Sequence, residues 1–229
     1  MPSTAASVFT AIGAAGNILL FLSQTLLIRQ LVKEGSSERY SFLPSLTLMG
    51  CLTLWCAYTV WVLPEPQLYA ANFPGMVIPF LNLLAFAVFA TPARRLRILG
   101  ATALTLGAAW GVPAGLFVGR VERAETILGV IICVASISFF VSPVEALLAA
   151  WREQDTSRVP ILMSMVQFFQ AGVWVVAAVL LSDVFILGVN AAGAASALAQ
   201  IACYAMITLR NKRAAALAGE PKEAASGSV

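Results

Sequence analysis

Charged residues and clusters of proline and glycine divide this chain into seven apolar segments. Each is long enough to cross a lipid bilayer as a helix, which takes about 20 residues. Only 11% of the 229 residues are charged, whereas a soluble domain carries about 25%. The sequence therefore predicts an all-α integral membrane protein with seven transmembrane helices. Their expected ranges are 7–28, 41–63, 67–90, 97–118, 124–149, 158–181 and 184–208.

The distribution of lysine and arginine predicts how the helices are oriented. Of the 14 residues of these two types, only Arg120 and Arg123 lie between the fourth and fifth segments. The other 12 follow the first, third, fifth and seventh segments, at the opposite end of the bundle. Because cytosolic loops carry the excess of positive charge, we expect the N-terminus outside and the C-terminus in the cytosol. The end that holds Arg120 is called the predicted outer end, and the other the predicted inner end.

The chain repeats itself with an offset of 116 to 119 residues. FLSQ at 21–24 aligns with FVSP at 140–143, and NFPG at 72–75 aligns with NAAG at 190–193. Three further pairs keep the same order: Pro44 with Pro160, Trp55 with Trp174, and Glu65 with Asp183. Each copy holds three helices, so a linker helix must separate the copies for both to share one orientation. The sequence predicts two parallel three-helix repeats and a linker, an arrangement known from transporters.

This 3+1+3 organisation sets the expected boundaries along the chain. Residues 1–91 form the first repeat, 92–121 the linker helix and 122–209 the second repeat. Residues 210–229 are small and polar, and we expect them to form a disordered cytosolic tail.

Six polar or aromatic residues are predicted to share one layer of the membrane. They are Asn17, Trp55, Asn72, Ser136, Trp174 and Asn190. Asn72 and Asn190 each follow an acidic residue by seven positions, which places both about 10 Å below the outer surface. An amide both donates and accepts hydrogen bonds with hydroxyls, and an indole face packs on apolar C–H groups. The layer indicates a site for an uncharged, polyhydroxylated ligand, although asparagines that only join helices remain an alternative.

Two further groups of residues are predicted to lie nearer the membrane surfaces. The group within about 10 Å of the inner face consists of Gln24, Pro44, Pro143 and Pro160. Because intramembrane prolines interrupt backbone bonding and permit kinks, this group predicts a hinge for an inner gate. Near the outer end, Tyr58 and Asp183 are placed to close that side by a hydrogen bond. Tolerated prolines and interfacial anchors are the respective alternatives.

From about residue 9 to 209, these motifs resemble the SWEET family of sugar transporters, which has the MtN3/saliva fold. The resemblance implies that Asn72 and Asn190 bind substrate, and that Asn17, Trp55 and Trp174 line the pocket. It also implies flexing prolines at Pro44, Pro143 and Pro160, and an outer gate of Tyr58 and Asp183. At position 24 the chain departs from the family, because glutamine replaces proline. Glutamine restores a backbone donor and removes a ring clash, so we expect the first helix to flex less there.

The resemblance further implies facilitated diffusion of mono- or disaccharides, with no coupling ion, no cofactor and no enzymatic activity. Its partners are a small neutral sugar and the lipid bilayer, and the family often forms homotrimers. Tryptophan at both Trp55 and Trp174 narrows the expected pocket, which favours a hexose over sucrose. The plasma membrane is the expected location, with an internal membrane as the alternative.

Two other functions remain open on the sequence. A proton-coupled sugar transporter needs a titratable relay, and the only carboxylate well within a predicted span is Glu145. A seven-helix receptor needs a sizeable ligand-binding loop, and the loops here are short. A retinal pump is excluded, because Lys33, Lys212 and Lys222 all lie outside the spans and none can form the Schiff base.

Composition excludes several other chemistries. The chain has no histidine, so it has no histidine-based catalytic triad, and we expect no metal site. Its net charge of +3 gives no indication of a nucleic-acid partner.

Overall fold

A computed structural model describes residues 4–23, 25–38, 40–156, 159 and 161–219, without the side chains of 19–23, 26, 139–146, 215 and 217–219. Every regular element in these ranges is a helix. The helices are α1 (Thr4–Ser23), α2 (Thr25–Glu34), α3 (Leu43–Trp61), α4 (Pro66–Val88), α5 (Pro92–Val118), α6 (Ala124–Glu153), α7 (Ile161–Leu181) and α8 (Val184–Gly219).

Seven helical spans match the seven predicted segments. Among the described residues, α3, α4, α5, α7 and α8 are long and apolar enough to cross a membrane. The other two spans begin with the apolar stretches Thr4–Ile18 of α1 and Ala124–Ser138 of α6. The first predicted span, 7–28, falls within Thr4–Ser23 and Thr25–Glu34, the two helical stretches described on either side of residue 24.

The ends of the helices follow local sequence signals. Three helices have proline in their first turn, at Pro44, Pro66 and Pro92, where the missing N–H breaks no intrahelical bond. The predicted disordered tail is wrong at its start, because α8 continues as a helix to Gly219. Residues 210–219 read RNKRAAALAG, and alanine, leucine, lysine and arginine have high helix propensity.

Both repeats pack their helices in the same order. In the first repeat, α4 lies between α1 and α3 and packs on both. In the second repeat, α8 lies between α6 and α7 and packs on both. Among the described residues, α1 does not contact α3, and α6 does not contact α7. The shared order shows that the two halves have the same three-helix architecture, as the sequence predicts.

The two repeats meet through equivalent pairs of helices. The first helix of each repeat packs on the second helix of the other, so α1 contacts α7 and α6 contacts α3. Six helices thereby form a closed ring in the order α1, α4, α3, α6, α8, α7. The linker α5 packs outside this ring on α3 and α4 and touches α6.

Two apolar clusters join the repeats, and both lie in the predicted outer half. One contains Ala14, Leu68, Ala71, Trp174, Ala177, Ala178 and Ile186, from α1, α4, α7 and α8. The other contains Tyr58, Leu128 and Ile132, from α3 and α6. In the predicted inner half, the clusters of the described residues combine α2 to α5 on one side and α6 with α8 on the other. Among the described residues, apolar packing between the repeats therefore lies in the predicted outer half, where van der Waals contact joins the helices.

The loop between α2 and α3 is fixed to the junction between α4 and α5. Arg94 forms an ion pair with Glu38 at 2.9 Å, and the Thr91 N–H donates to the same carboxylate. The Ser37 N–H donates to the Phe89 carbonyl at 3.0 Å. Hydrogen bonds from Arg94 and Thr91 hold the pKa of Glu38 below its ordinary value of 4.5. The linker helix is thus tied to the first repeat at the predicted inner end.

This ion pair predicts a pH-dependent effect of Glu38→Gln. A carboxylate with a lowered pKa in the folded state stabilises the fold above its ordinary pKa. That stabilisation is lost as the pH falls through the lowered value. We expect the variant to unfold at a lower temperature than the parent protein at about pH 7, with the difference shrinking as the pH falls below the ordinary pKa of a glutamate. Thermal unfolding of the purified proteins in detergent measures this.

Glu122→Gln, in the exposed loop at the opposite end, is the matched control and should leave the midpoint unchanged at neutral and at acidic pH. Equal midpoints for Glu38→Gln and the parent protein at neutral pH would contradict the proposed role of the ion pair.

Candidate functional site

Asn72 and Asn190 occupy equivalent positions and make equivalent hydrogen bonds. The Asn72 Nδ2 donates to the Leu68 carbonyl at 2.9 Å, and the Asn190 Nδ2 donates to the Ile186 carbonyl at 2.8 Å. A carbonyl only accepts, so these bonds determine which amide atom is the nitrogen. Within the described residues, neither Oδ1 receives a hydrogen bond. Each asparagine therefore keeps an acceptor for a ligand hydroxyl.

The contact between α3 and α6 brings together two more predicted site residues. The Trp55 Nε1 donates to the Ser136 Oγ at 3.3 Å, and the Cys51 Sγ lies 3.2 Å from the same oxygen. Trp55 is half-buried and packs edge-on against Tyr58, with ring centroids 5.6 Å apart. This interface is held by a hydroxyl, a thiol and an indole.

The equivalent contact between α1 and α7 has a different chemistry. Gln170 Nε2 donates to Asn17 Oδ1 at 2.8 Å and to the Gly13 carbonyl at 2.5 Å. Trp174 packs directly on Gly13, where an added Cβ would lie 2.7 Å from its Cε2 atom. Only 5% of Trp174 is exposed, so its ring offers no open face to a ligand in this conformation. Of the two predicted tryptophans, Trp55 is the more accessible here.

A hydrogen bond joins the repeats at the predicted outer end. The Tyr58 hydroxyl of α3 donates to Asp183 Oδ2 at 2.7 Å. The other oxygen of Asp183 accepts from the N–H groups of Phe185 and Ile186 at 2.9 and 2.8 Å, so the same carboxylate caps α8. Glu65, the equivalent acid, makes no side-chain cap on α4. Among the described residues, the capping carboxylate of Asp183 therefore has no counterpart at Glu65.

Among the predicted inner-hinge residues, the structure describes the position and exposure of Pro44. Pro44 lies in the first turn of α3 and is exposed, so it does not interrupt a helix as an intramembrane kink would. Pro143 lies in α6, but its side chain is outside the described residues. Gln24 and Pro160 also lie outside the described residues.

Three prolines that sequence reasoning did not single out lie inside the described helices. Pro74 and Pro79 interrupt α4, and Pro113 interrupts α5. The equivalent positions of α8 are Ala192 and Ala197. Bending is therefore favoured in α4 of the first repeat over α8 of the second. Comparing the repeats only for shared prolines missed this difference.

Gln170 and Cys51 were also missed, although the sequence contained the signal. They are separated by the repeat offset of 119, and a glutamine within a membrane span calls for a hydrogen-bond partner. Both side chains contact predicted site residues of the other repeat.

Comparison with known proteins decides the family. A family model described as "Sugar efflux transporter for intercellular exchange" matches the chain twice, over residues 7–94 and 126–212. The chain belongs to the SWEET family. The two matched segments correspond to the two three-helix repeats, on either side of α5.

Two plant SWEET proteins are similar over most of their length. Bidirectional sugar transporter SWEET2b of Oryza sativa subsp. indica is 30% identical, over 85% of this chain and 88% of the relative. Bidirectional sugar transporter SWEET7 of Arabidopsis thaliana is 28% identical, over 88% of this chain and 81% of the relative.

A solved structure of a eukaryotic SWEET transporter has the same fold. It superposes with a TM-score of 0.81 at 24% identity and covers 90% of this chain and 97% of its own. The predicted SWEET architecture of two three-helix repeats and a linker is confirmed.

The outer contact predicts different effects for three substitutions. Tyr58→Phe removes only the hydrogen bond between the repeats. Asp183→Asn keeps an acceptor for the α8 cap but removes the charge that Tyr58 binds. Asp183→Ala loses both interactions, and loss of the cap alone costs about 0.5–2 kcal/mol. We expect Asp183→Ala to lower the unfolding temperature most.

A double-mutant cycle of Tyr58→Phe with Asp183→Asn, followed by thermal unfolding, isolates the pairwise interaction. Tyr69→Phe, an exposed tyrosine on α4, is the control and should leave the midpoint unchanged. Additive effects of the two substitutions on the unfolding temperature would show that the hydrogen bond does not stabilise the contact at the outer end.

Proposed function

We propose that this SWEET protein moves a small neutral sugar, preferably a hexose, across the membrane by facilitated diffusion. The observation that carries the proposal is the equivalent pair Asn72 and Asn190, each with its amide oriented by its own helix and its Oδ1 free to accept. The family description and the names of the relatives, which are bidirectional sugar transporters, support it.

The sugar binds through complementary groups in one layer. Hydroxyls of the sugar donate to the Oδ1 atoms of Asn72 and Asn190, while Ser136 offers a hydroxyl from α6. Trp55 offers an indole face on which the C–H face of a sugar ring packs. Trp174 contributes after the contact between α1 and α7 loosens, because its ring is buried against Gly13 in this conformation.

Uniport agrees with the way the Asp183 carboxylate is used. Proton coupling requires a titratable relay, yet Asp183 is engaged both by Tyr58 and by the first turn of α8. That arrangement suits a structural contact that opens and closes. Proton-coupled transport is the alternative that a protonophore distinguishes.

Alternating access follows from where the repeats are joined. The outer half is closed by two apolar clusters and by the bond between Tyr58 and Asp183. Opening toward the outside separates these contacts while the repeats rock about the paired interfaces α1–α7 and α3–α6. We propose Tyr58 and Asp183 as the outer gate, and bending of α4 at Pro74 and Pro79 as part of the motion.

The proposal also covers the inner hinge, the orientation in the membrane and the assembly. An inner hinge involves positions 24, 143 and 160, with Pro44 acting at the start of α3. The N-terminus lies outside and the C-terminus in the cytosol, in the plasma membrane. A homotrimer is the assembly that the family resemblance implies.

Removing the asparagine amides should reduce transport at both equivalent positions. We expect Asn72→Ala and Asn190→Ala each to lower the ratio of maximal rate to KM about three- to tenfold, because each removes one acceptor for a sugar hydroxyl. Uptake of labelled glucose, fructose, galactose and sucrose into transporter-deficient cells measures this, after surface amounts are equalised.

Asn82→Leu is the matched control on α4. Asn82 is fully buried, and its two amide atoms have no hydrogen-bond partner in the described structure, so its replacement should leave sugar uptake unchanged. Asn72→Ala and Asn190→Ala proteins that reach the membrane and carry sugar at parental rates would contradict the proposed site.

A further inference from the structure

Gln170 is the polar side chain through which α7 is tied to α1. It is 92% buried, with 8% of its surface exposed. Its Nε2 donates to the Gly13 carbonyl and to Asn17 Oδ1. Since α7 belongs to the second repeat and α1 to the first, these two bonds cross the boundary between the repeats. In a membrane, where water does not compete, such an interhelical bond persists.

The chain of hydrogen bonds determines the orientation of the Asn17 amide. The Gly13 carbonyl can only accept, so the Gln170 atom facing it must be the nitrogen. That nitrogen only donates, so the Asn17 atom facing it must be the oxygen. Asn17 is thereby left with Nδ2, a donor, as the amide atom that is free within the described residues. Asn72 and Asn190 have the opposite polarity, because their nitrogens are engaged and their oxygens are free.

Gly16 makes room for this arrangement. A Cβ added at Gly16 would overlap the Oε1 atom of Gln170, so any larger residue displaces the glutamine amide. The other repeat has the complementary combination at the offset of 119. Cys51 stands in place of Gln170, and Ala135 in place of Gly16. A long side chain against glycine in one interface thus corresponds, by repeat position, to a cysteine and an alanine in the other.

The two interfaces between the repeats nevertheless differ in their hydrogen bonds. Ser136 takes the place of Asn17, and it accepts from Trp55 and lies against the Cys51 thiol. A serine hydroxyl rotates and can either donate or accept. Asn17 has no such freedom while Gln170 holds it.

We propose that Gln170 is a positioning residue that holds Asn17 with its Nδ2 available to the sugar, and that Gly16 is required for it to do so. This inference rests on the proposed sugar transport. A site with fixed polarity follows: α1 presents a donor, whereas α4 and α8 present acceptors. A sugar hydroxyl that contacts Asn17 therefore accepts a hydrogen bond, and those that contact Asn72 and Asn190 donate.

The first test needs no sugar and uses the coupling between Gly16 and Gln170. Gly16→Ala should lower the unfolding temperature of the purified protein, because its methyl group displaces the Gln170 amide. Gly16→Ala with Gln170→Cys recreates the pairing of Ala135 with Cys51 and should recover part of that loss. Gly107→Ala on α5, where a Cβ meets nothing within 4 Å, is the control. Strictly additive effects of the two substitutions would overturn the proposed requirement for Gly16.

The second test separates positioning from structural support. Gln170→Met keeps the length of the side chain but cannot donate, so it frees the Asn17 amide. We expect the KM for labelled glucose in counterflow to rise about three- to tenfold, with a smaller change in maximal rate. Asn17→Ala should raise the KM similarly, and the double variant should be no worse than either single one.

The outcomes show separately whether the positioning role of Gln170 fails or the proposed sugar transport fails. If the parent protein carries glucose, and Gln170→Met lowers only the amount of folded protein or the maximal rate while KM stays constant, the positioning role is overturned. Additive effects of Gln170→Met and Asn17→Ala on KM would overturn it as well. If the parent protein carries none of the four sugars named above, the proposed function fails, and the donor role of Asn17 fails with it.

Discussion

The scarcity of water in a bilayer core governs this site, because burying an amide there is costly unless it forms hydrogen bonds within the protein. Asn72 and Asn190 use a backbone carbonyl one turn earlier, and Gln170 uses a backbone carbonyl of another helix. Each of these bonds engages a nitrogen and fixes the orientation of the amide. What remains for a ligand is therefore determined by helix packing. In the proposed sugar site, the free donors and acceptors are therefore set before a ligand enters.

The two repeats share one architecture but have different contacts. In each, the third helix packs between the first two, and the first helix contacts the second helix of the other repeat. Gly13 admits the ring of Trp174 into the surface of α1, whereas Ile132 at the equivalent position of α6 keeps Trp55 half-buried. The bond between Tyr58 and Asp183 likewise has no counterpart at Glu65. The two repeats thus share one helix order but place different side chains around the proposed site. This suits a ligand that has no two-fold symmetry of its own.

The sequence predicted the fold well, because length, apolar character and repeated motifs are properties of single helices. It located the seven spans and the 3+1+3 organisation, and it paired Asn72 with Asn190. It did not predict the burial of Trp174, which depends on a glycine facing it from a helix more than 150 residues away. Gln170 could have been noticed as a glutamine within a span, but its partners on α1 could not be predicted from the sequence. The position of Pro44 at a helix start and the helical residues 210–219 depended on where helices end, which apolar character alone does not define.

Net uptake into proteoliposomes tests the central claim that a neutral sugar crosses between the repeats down its own gradient. Purified protein is reconstituted into sugar-free liposomes with an imposed proton gradient, and net uptake of labelled glucose is followed with and without a protonophore. We expect rapid uptake of label that the protonophore does not change. Uptake that the protonophore abolishes, or no uptake above protein-free liposomes for glucose, fructose, galactose or sucrose, would contradict it.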